Sequence, residues 1–301
     1  MIAYLFPGQG SHSVGMGQEA YERSSAARDV FAQADEILGF SISDLCFNGP
    51  EDTLTDTVNQ QPALFVTSLA VMKAMEEEGS EAYPAADFMA GHSLGELSAL
   101  AASGALTFED GLRLVRTRGE LMKAAGEKSP GGMAAVLGLD ASQVNEACEK
   151  AAAETGNLVQ LANDNCPGQI VVSGDSDGVA RAGEVMQEMG ARKVVPLTIT
   201  IAAHSPLMAS ASDSFSAALD SVNIQAPTVP VIGNTTAAPL TTPEEIRAEL
   251  NAQLTGSVRW TESMQYLVDQ GITEIYEVGS GDVLQKLMKR IGRKVARKAF
   301  K

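Results

Sequence analysis

The stretch Ala90-Gly91-His92-Ser93-Leu94-Gly95-Glu96 closes a short apolar run, Asp87 to Ala90, and opens a helical pattern from Leu94 to Ala102. A strand, a Gly-x-Ser-x-Gly turn and a helix form a nucleophile elbow, in which a serine stands at the tip of a strained turn. Gly91 and Gly95 have a steric purpose there, because β-carbons at those positions would collide where strand and helix meet so sharply. Ser93 would stand at a helix N-terminus, whose free N–H groups can stabilise an oxyanion. The pattern is short, so a tight turn without chemistry is the competing reading, and the rest of the chain has to decide.

Upstream, Ile2 to Phe6 read as a buried strand that runs into Pro7-Gly8-Gln9-Gly10-Ser11-His12. This loop lacks the Lys of a P-loop and the third Gly of a dinucleotide fingerprint. It is better suited to bringing backbone N–H groups close to a reacting centre. Helical patterns follow at about 17–38 and from Gln61 through Glu77. Downstream, Phe108 to Ala125 carries an apolar stripe of Leu114, Val115, Leu121 and Met122. Arg118 falls on that stripe, whereas Arg113 and Arg116 point elsewhere. A guanidinium aimed at a core or cleft needs an anion, since its charge cannot be removed by deprotonation. The anion is either an internal carboxylate or a substrate carboxylate gripped by paired N–H donors.

Beyond a linker at Glu127 to Gly132 the order of elements changes. Strands at 133–138, 158–163, 169–173 and 192–197, with helices at 141–155 and 176–190, make a βαββαβ, ferredoxin-like unit. A helical α/β pattern then resumes: a helix after Pro206 to about 220, a strand at 229–233, a turn region from Asn234 to Pro243, helices at 244–254 and 259–270, and a strand at Glu274 to Val278. The expected fold is therefore α/β, a hydrolase-like large domain with a mainly parallel sheet (1–129 and 199–301) carrying an inserted ferredoxin-like subdomain (130–198).

The chain has 301 residues, 45% of them hydrophobic, and a formal net charge of −16, which argues against general nucleic-acid binding. That charge is uneven. Eight of the 22 basic residues (Lys286, Lys289, Arg290, Arg293, Lys294, Arg297, Lys298 and Lys301) crowd the last sixteen positions, where none of the 38 acidic residues falls. The apolar residues Leu284, Leu287, Met288, Ile291 and Val295 share one side of this tail, as in an amphipathic terminal helix. Cys46, Cys148 and Cys166 are far apart and lack metal-ligand spacing, as expected of reduced thiols in a cytosolic protein. No signal peptide is expected at Met1 to Gly8, and no run approaches a membrane span. The expected location is cytoplasmic, with no membrane partner, and the chain is expected to act as a monomer.

The three histidines, His12, His92 and His204, all lie in segments already singled out. Ser93 needs an adjacent base. His92 precedes it directly and should project away, and His12 is conceivable. His204 is favoured because it follows the serine in the order found in hydrolases of this elbow type.

Taken together, Gly8-Gln9-Gly10-Ser11-His12, Gly91-His92-Ser93-Leu94-Gly95-Glu96, Arg118-Gly119, Ala203-His204-Ser205 and Gln253-Leu254 resemble the malonyl-CoA:acyl-carrier-protein transacylases, nearly end to end. The resemblance implies transfer of a malonyl group to the phosphopantetheine thiol of acyl carrier protein, in fatty-acid or polyketide synthesis, without metal or other cofactor. It implies that Ser93 carries the acyl group, that His204 is the base oriented by the backbone carbonyl of Gln253, and that the N–H groups of Leu94 and His12 form the oxyanion hole. Arg118 would pair with the malonyl carboxylate, and Gln9 and His12 would contact substrate. Two positions depart from the family pattern: residue 12 is usually Gln, and Ala203 is smaller than the Phe common in malonyl-selective polyketide enzymes. Ala203 leaves methylmalonyl open as an alternative acyl group. A hydrolase acting on acyl carrier protein is the alternative reaction, disfavoured because simple acyl groups need no buried cation. A carrier-binding module without turnover is disfavoured by the intact Ser93, His204 and Gly-rich loop.

Overall fold

The computed structural model describes residues 1–197, 199 and 201–300. Thr198, the last residue of the expected insertion, and Lys301, the last of the eight basic residues, lie outside the described residues. The chain is α/β. Ten strands are described: β1 (Ile2–Phe6), β2 (Phe88–Gly91), β3 (Gly132–Leu137), β4 (Val159–Cys166), β5 (Gln169–Gly174), β6 (Lys193–Pro196), β7 (Val231–Ile232), β8 (Pro239–Leu240), β9 (Glu274–Glu277) and β10 (Ala296–Ala299). The first sheet has the order β10-β9-β1-β2-β7-β8. All its pairings are parallel except β7 with β8.

Ala3, Tyr4, Leu5 and Phe6 of the central β1 are all buried, as befits a strand covered on both faces. Their side chains alternate between two cores. Tyr4 and Phe6 join the one formed with the helices Thr57–Glu78 and Phe108–Lys128, while Ala3 and Leu5 pack with Trp260, Met264 and Ile275. Helix Thr57–Glu78 is buried over most of its surface, Gln60 and Gln61 included. No described helix is long and apolar enough to cross a membrane.

After Lys128 the chain builds a second sheet, β4-β5-β3-β6, wholly antiparallel. Helices Ala141–Thr155 and Ser176–Glu188 pack against it around Val136, Val144, Val172 and Val185. β4 also ties this sheet to the first unit: Val258 N–H donates to the Ala162 carbonyl (2.8 Å) and Asp164 N–H to the Val258 carbonyl (2.9 Å). The candidate site lies along this seam.

Three local expectations change. The helix expected at 17–38 is broken at Ser24, which is extended (φ −121°) and whose hydroxyl accepts the Ala27 N–H, capping a new helix at Ser25–Leu38. The strand expected at 229–233 shrinks to two residues, and β8 pairs with it from within the region read as turn. The tail is not one helix. Helix Val283–Ile291 starts on the buried Glu277, whose carboxylate accepts the N–H groups of Leu284 (2.9 Å) and Gln285 (3.0 Å), and stops at Gly292. Residues 296–299 then pair in parallel with β9 as an edge strand. Such an edge accepts Arg297 and Lys298, whose charges discourage pairing with another chain.

Candidate active site

Ser93 has φ 52° and ψ −107°, a backbone conformation costing about 1–3 kcal/mol outside glycine. Two features impose it. Strand and helix meet so closely that a β-carbon on Gly91 would lie 1.9 Å from the Gly95 carbonyl carbon, and one on Gly95 2.1 Å from the Phe6 carbonyl oxygen. Asn234 then clamps the turn: its Oδ1 accepts the Ser93 N–H (2.7 Å) and its Nδ2 donates to the Gly91 carbonyl (2.7 Å). His92 points away from the seryl oxygen, with Nε2 on Asn165 Oδ1 (2.8 Å) and its ring edge-to-face with Trp260.

The tertiary fold brings His204 to Ser93, with Nε2 2.8 Å from Oγ. His204 is held from both sides. Its N–H donates to the Leu254 carbonyl (3.1 Å), and its own carbonyl accepts Gln160 Nε2 from β4 (2.8 Å). Its backbone is left-handed, at φ 57°. Nδ1 faces two carbonyl oxygens, of Gln253 (2.9 Å) and Gly256 (3.1 Å). Carbonyls only accept, so Nδ1 carries the proton and Nε2 is left as the acceptor for the Ser93 hydroxyl. Two carbonyls thus do here what a carboxylate does in a Ser-His-Asp triad.

Burial, and then the charge of Arg118, push the His204 imidazole from 6.5 down to about 3. The neutral ring is the base, so a lowered pKa widens the acidic range in which it works. The kcat/KM for acylation of Ser93, followed by single-turnover mass spectrometry, should keep its acid limb well below pH 6.5. Half-loss near pH 6.5 would contradict a buried, neutral His204.

Arg118 is 1% exposed. Nη1 donates to Gln61 Oε1 (2.8 Å), and Nη2 donates to Gln253 Oε1 (3.0 Å) and Ser93 Oγ (3.1 Å), while Nε has no partner among the described residues. Among the described ion pairs none includes Arg118, so the internal carboxylate considered from the sequence is not in contact with it. Burial lowers its pKa to about 10, with Glu96 pulling the other way, and it stays cationic at neutral pH. A desolvated cation therefore touches the serine oxygen, with its Nε–H unspent.

Leu94 is the first residue of the helix after Ser93. The His12 ring sits against Thr55 (3.1 Å) and Gln60 (2.7 Å), and burial holds its pKa below the usual imidazole value while Glu51 pulls it up. Gln9 is exposed and lines a cavity of about 390 Å³ with Lys123, Gly126, Ile199 and Ile201, among others. Sequence reasoning missed Asn234, Gln61, Gln160 and the side chain of Gln253. Only Gln61 left a trace, as a polar residue on a helix otherwise suited to full burial. Among the described residues no group of His, Cys, Asp and Glu could hold a metal ion.

The chain resembles known proteins over nearly its whole length. The chain is 46% identical to the malonyl CoA-acyl carrier protein transacylase of Bacillus subtilis (98% of this chain, 91% of that protein). It is 40% identical to the Escherichia coli K12 protein of the same name (96% and 92%). The acyl-carrier-protein-S-malonyltransferase structure from Bartonella henselae superposes with a TM-score of 0.94 at 43% identity, covering 99% of this chain and 95% of that one. A malonyl-transacylase solved in complex with its type II polyketide-synthase acyl-carrier protein gives 0.94 at 36% identity, with coverage of 99% and 95%. Residues 3–299 match the family described as the acyl transferase domain. A match of that extent, with an elbow serine and a carbonyl-oriented histidine in contact, makes this chain a member of the acyl transferase domain family.

Proposed function

We propose that this protein transfers a malonyl group from malonyl-CoA to the phosphopantetheine thiol of an acyl carrier protein, through a malonyl ester on Ser93. Ser93 Oγ attacks the thioester carbonyl as His204 Nε2 takes its proton. The N–H groups of Leu94 and His12 receive the oxyanion, and the collapsing intermediate expels the CoA thiol, which takes the proton from His204. The carrier thiol then reverses these steps, a ping-pong scheme. The Gln253 carbonyl keeps the imidazole in its working tautomer, and Gln9 and His12 contact the incoming substrate. The scheme calls for no metal or cofactor.

One observation carries the choice of a diacid: the buried Arg118, unpaired by any carboxylate and with Nε free among the described residues, touches Ser93 Oγ. A simple acyl hydrolase has no use for that cation. The names of the bacterial relatives, and the neighbour solved with its carrier protein, support the same reading. For the carrier, which is acidic, the basic recess formed by Lys289, Arg290, Arg293 and Arg297 is the docking candidate. Arg290 Nη2 donates to the Pro167 carbonyl (2.6 Å), two residues beyond the Asn165 that holds His92 beside the serine. The architecture in this reading is a hydrolase-like large domain (1–129 and 199–301) with an inserted ferredoxin-like subdomain (130–198), acting as a cytoplasmic monomer.

The test is a competition of malonyl-, methylmalonyl- and acetyl-CoA for Ser93, read by mass spectrometry of the intact protein. The malonyl ester should dominate, and adding carrier protein should discharge it onto the carrier. Preference for acetyl, or discharge to water with the carrier untouched, would return the reading to a hydrolase. Dominance of methylmalonyl would assign the space beside Ala203 to a branched acyl group.

A further inference from the structure

Among the described residues no carboxylate stands at the side of the buried Arg118 cation, which is costly unless a counter-charge is nearby. The hydrogen bonds lead to one. Nη2 of Arg118 donates to Gln253 Oε1 (3.0 Å), and Gln253 Nε2 donates to Glu96 Oε2 and to the Ser93 carbonyl (3.0 Å). Glu96 Oε1 accepts the backbone N–H of Asn234 (3.0 Å). Arg118, Gln253, Glu96 and Asn234 are all buried. The amide cannot be turned round, because that would set Nε2 against a guanidinium and Oε1 against two oxygens. Both Glu96 oxygens therefore face donors, an arrangement that suits the carboxylate anion even though burial and the neighbouring Glu249 raise its pKa. Glu249 itself is spent on Thr235 N–H (2.6 Å), Thr235 Oγ1 (2.8 Å) and Thr236 N–H (3.3 Å).

We infer that Glu96 is the counter-ion of Arg118, joined to it through the side-chain amide of Gln253, and that this spacing holds the guanidinium in place while leaving its charge free for a substrate carboxylate. A carboxylate in direct contact would occupy the fork that substrate must take and would neutralise it. The interposed amide accepts one N–H and passes polarisation on to Glu96, and the other acceptors on the fork, Gln61 Oε1 and Ser93 Oγ, are neutral as well, so the charge is left for an arriving carboxylate. Glu96 is thus a positioning residue. Through Asn234 it also steadies the elbow, since that residue accepts the Ser93 N–H. The inference rests on Arg118 receiving the malonyl carboxylate.

Three variants test it with malonyl-CoA and acetyl-CoA, under single-turnover and steady-state conditions. Glu96→Gln sets a donor against a donor in the chain. It should cost about tenfold or more in kcat/KM for malonyl, the scale of a lost hydrogen bond to a charged group, mostly in KM, with a smaller loss for acetyl. The exchange Glu96→Gln with Gln253→Glu keeps the hydrogen bonds from Arg118 through 253 and 96 to Asn234, gives up the one from 253 to the Ser93 carbonyl, which both esters feel alike, and moves the charge into contact with Arg118. It should fold as the native chain does and still lose its preference for malonyl. Equal losses for both esters in Glu96→Gln, or native malonyl preference in the exchange variant, would overturn the inference. Arg118→Ala separates the two readings. If it keeps the malonyl preference, the clamp falls and this inference with it; if it loses the preference while both other variants keep it, only the role of Glu96 falls.

Discussion

Ser93→Ala is expected to take no acyl group from malonyl-CoA, where the native protein gains the mass of one malonyl ester on mixing. The loss should be complete rather than partial, because the geometry offers one nucleophile among the described residues. Ser93 Oγ alone among the described residues lies within hydrogen-bond reach of both His204 Nε2 (2.8 Å) and Arg118 Nη2 (3.1 Å). The free cysteines are all buried, and burial pushes the thiols of Cys46 and Cys148 up to about 12, so none is a substitute. Removing Oγ leaves the elbow intact, since its bonds to Asn234 and Gln253 use the backbone of residue 93. The variant should therefore fold normally, which circular dichroism checks. An undiminished mass gain would place the acyl group elsewhere and end the assignment of Ser93.

Arg118→Ala should weaken malonyl transfer by ~2–4 kcal/mol, as for a desolvated charge pair that loses one partner. That is roughly 30- to 700-fold in kcat/KM at about 1.4 kcal/mol per tenfold. Acetyl transfer should fall far less. An acetyl group presents no carboxylate to the fork, and removing the cation also lifts the charge that helps to depress the basicity of His204. Arg118→Lys should fall between, because an ammonium keeps the charge but not the two parallel N–H donors. The two glutamines left without their donor, Gln61 and Gln253, should lower Tm somewhat, so the comparison uses the ratio of the two esters within each variant. Equal fractional losses for malonyl and acetyl would remove the clamp.

Much of this arrangement is legible in the amino-acid sequence. The elbow could be read because its requirement is local: two glycines at fixed spacing answer a collision between a strand and the helix that follows it. Arg118 could be placed in a cleft because helical periodicity puts it on the stripe with Leu114 and Met122, and 3.6 residues per turn is a property of the chain itself. The tail departs from its pattern for the same local reason. Its apolar spacing suits a helix, but pairing with β9 turns residues 296–299 into an edge strand, a choice made by a neighbour 22 residues away.

By itself the sequence determined the alternation of strands and helices, the serine at the strained turn and the cation on an apolar face, all properties of segments no longer than a helix. Only the tertiary structure decided which polar groups meet. Gln253 reaches Ser93 across 160 residues, Asn234 reaches it across 141, and Arg118 finds Gln61 at 57. A glutamine or asparagine has no periodic signature, and its role is set by whichever donor or acceptor the folded chain leaves buried beside it.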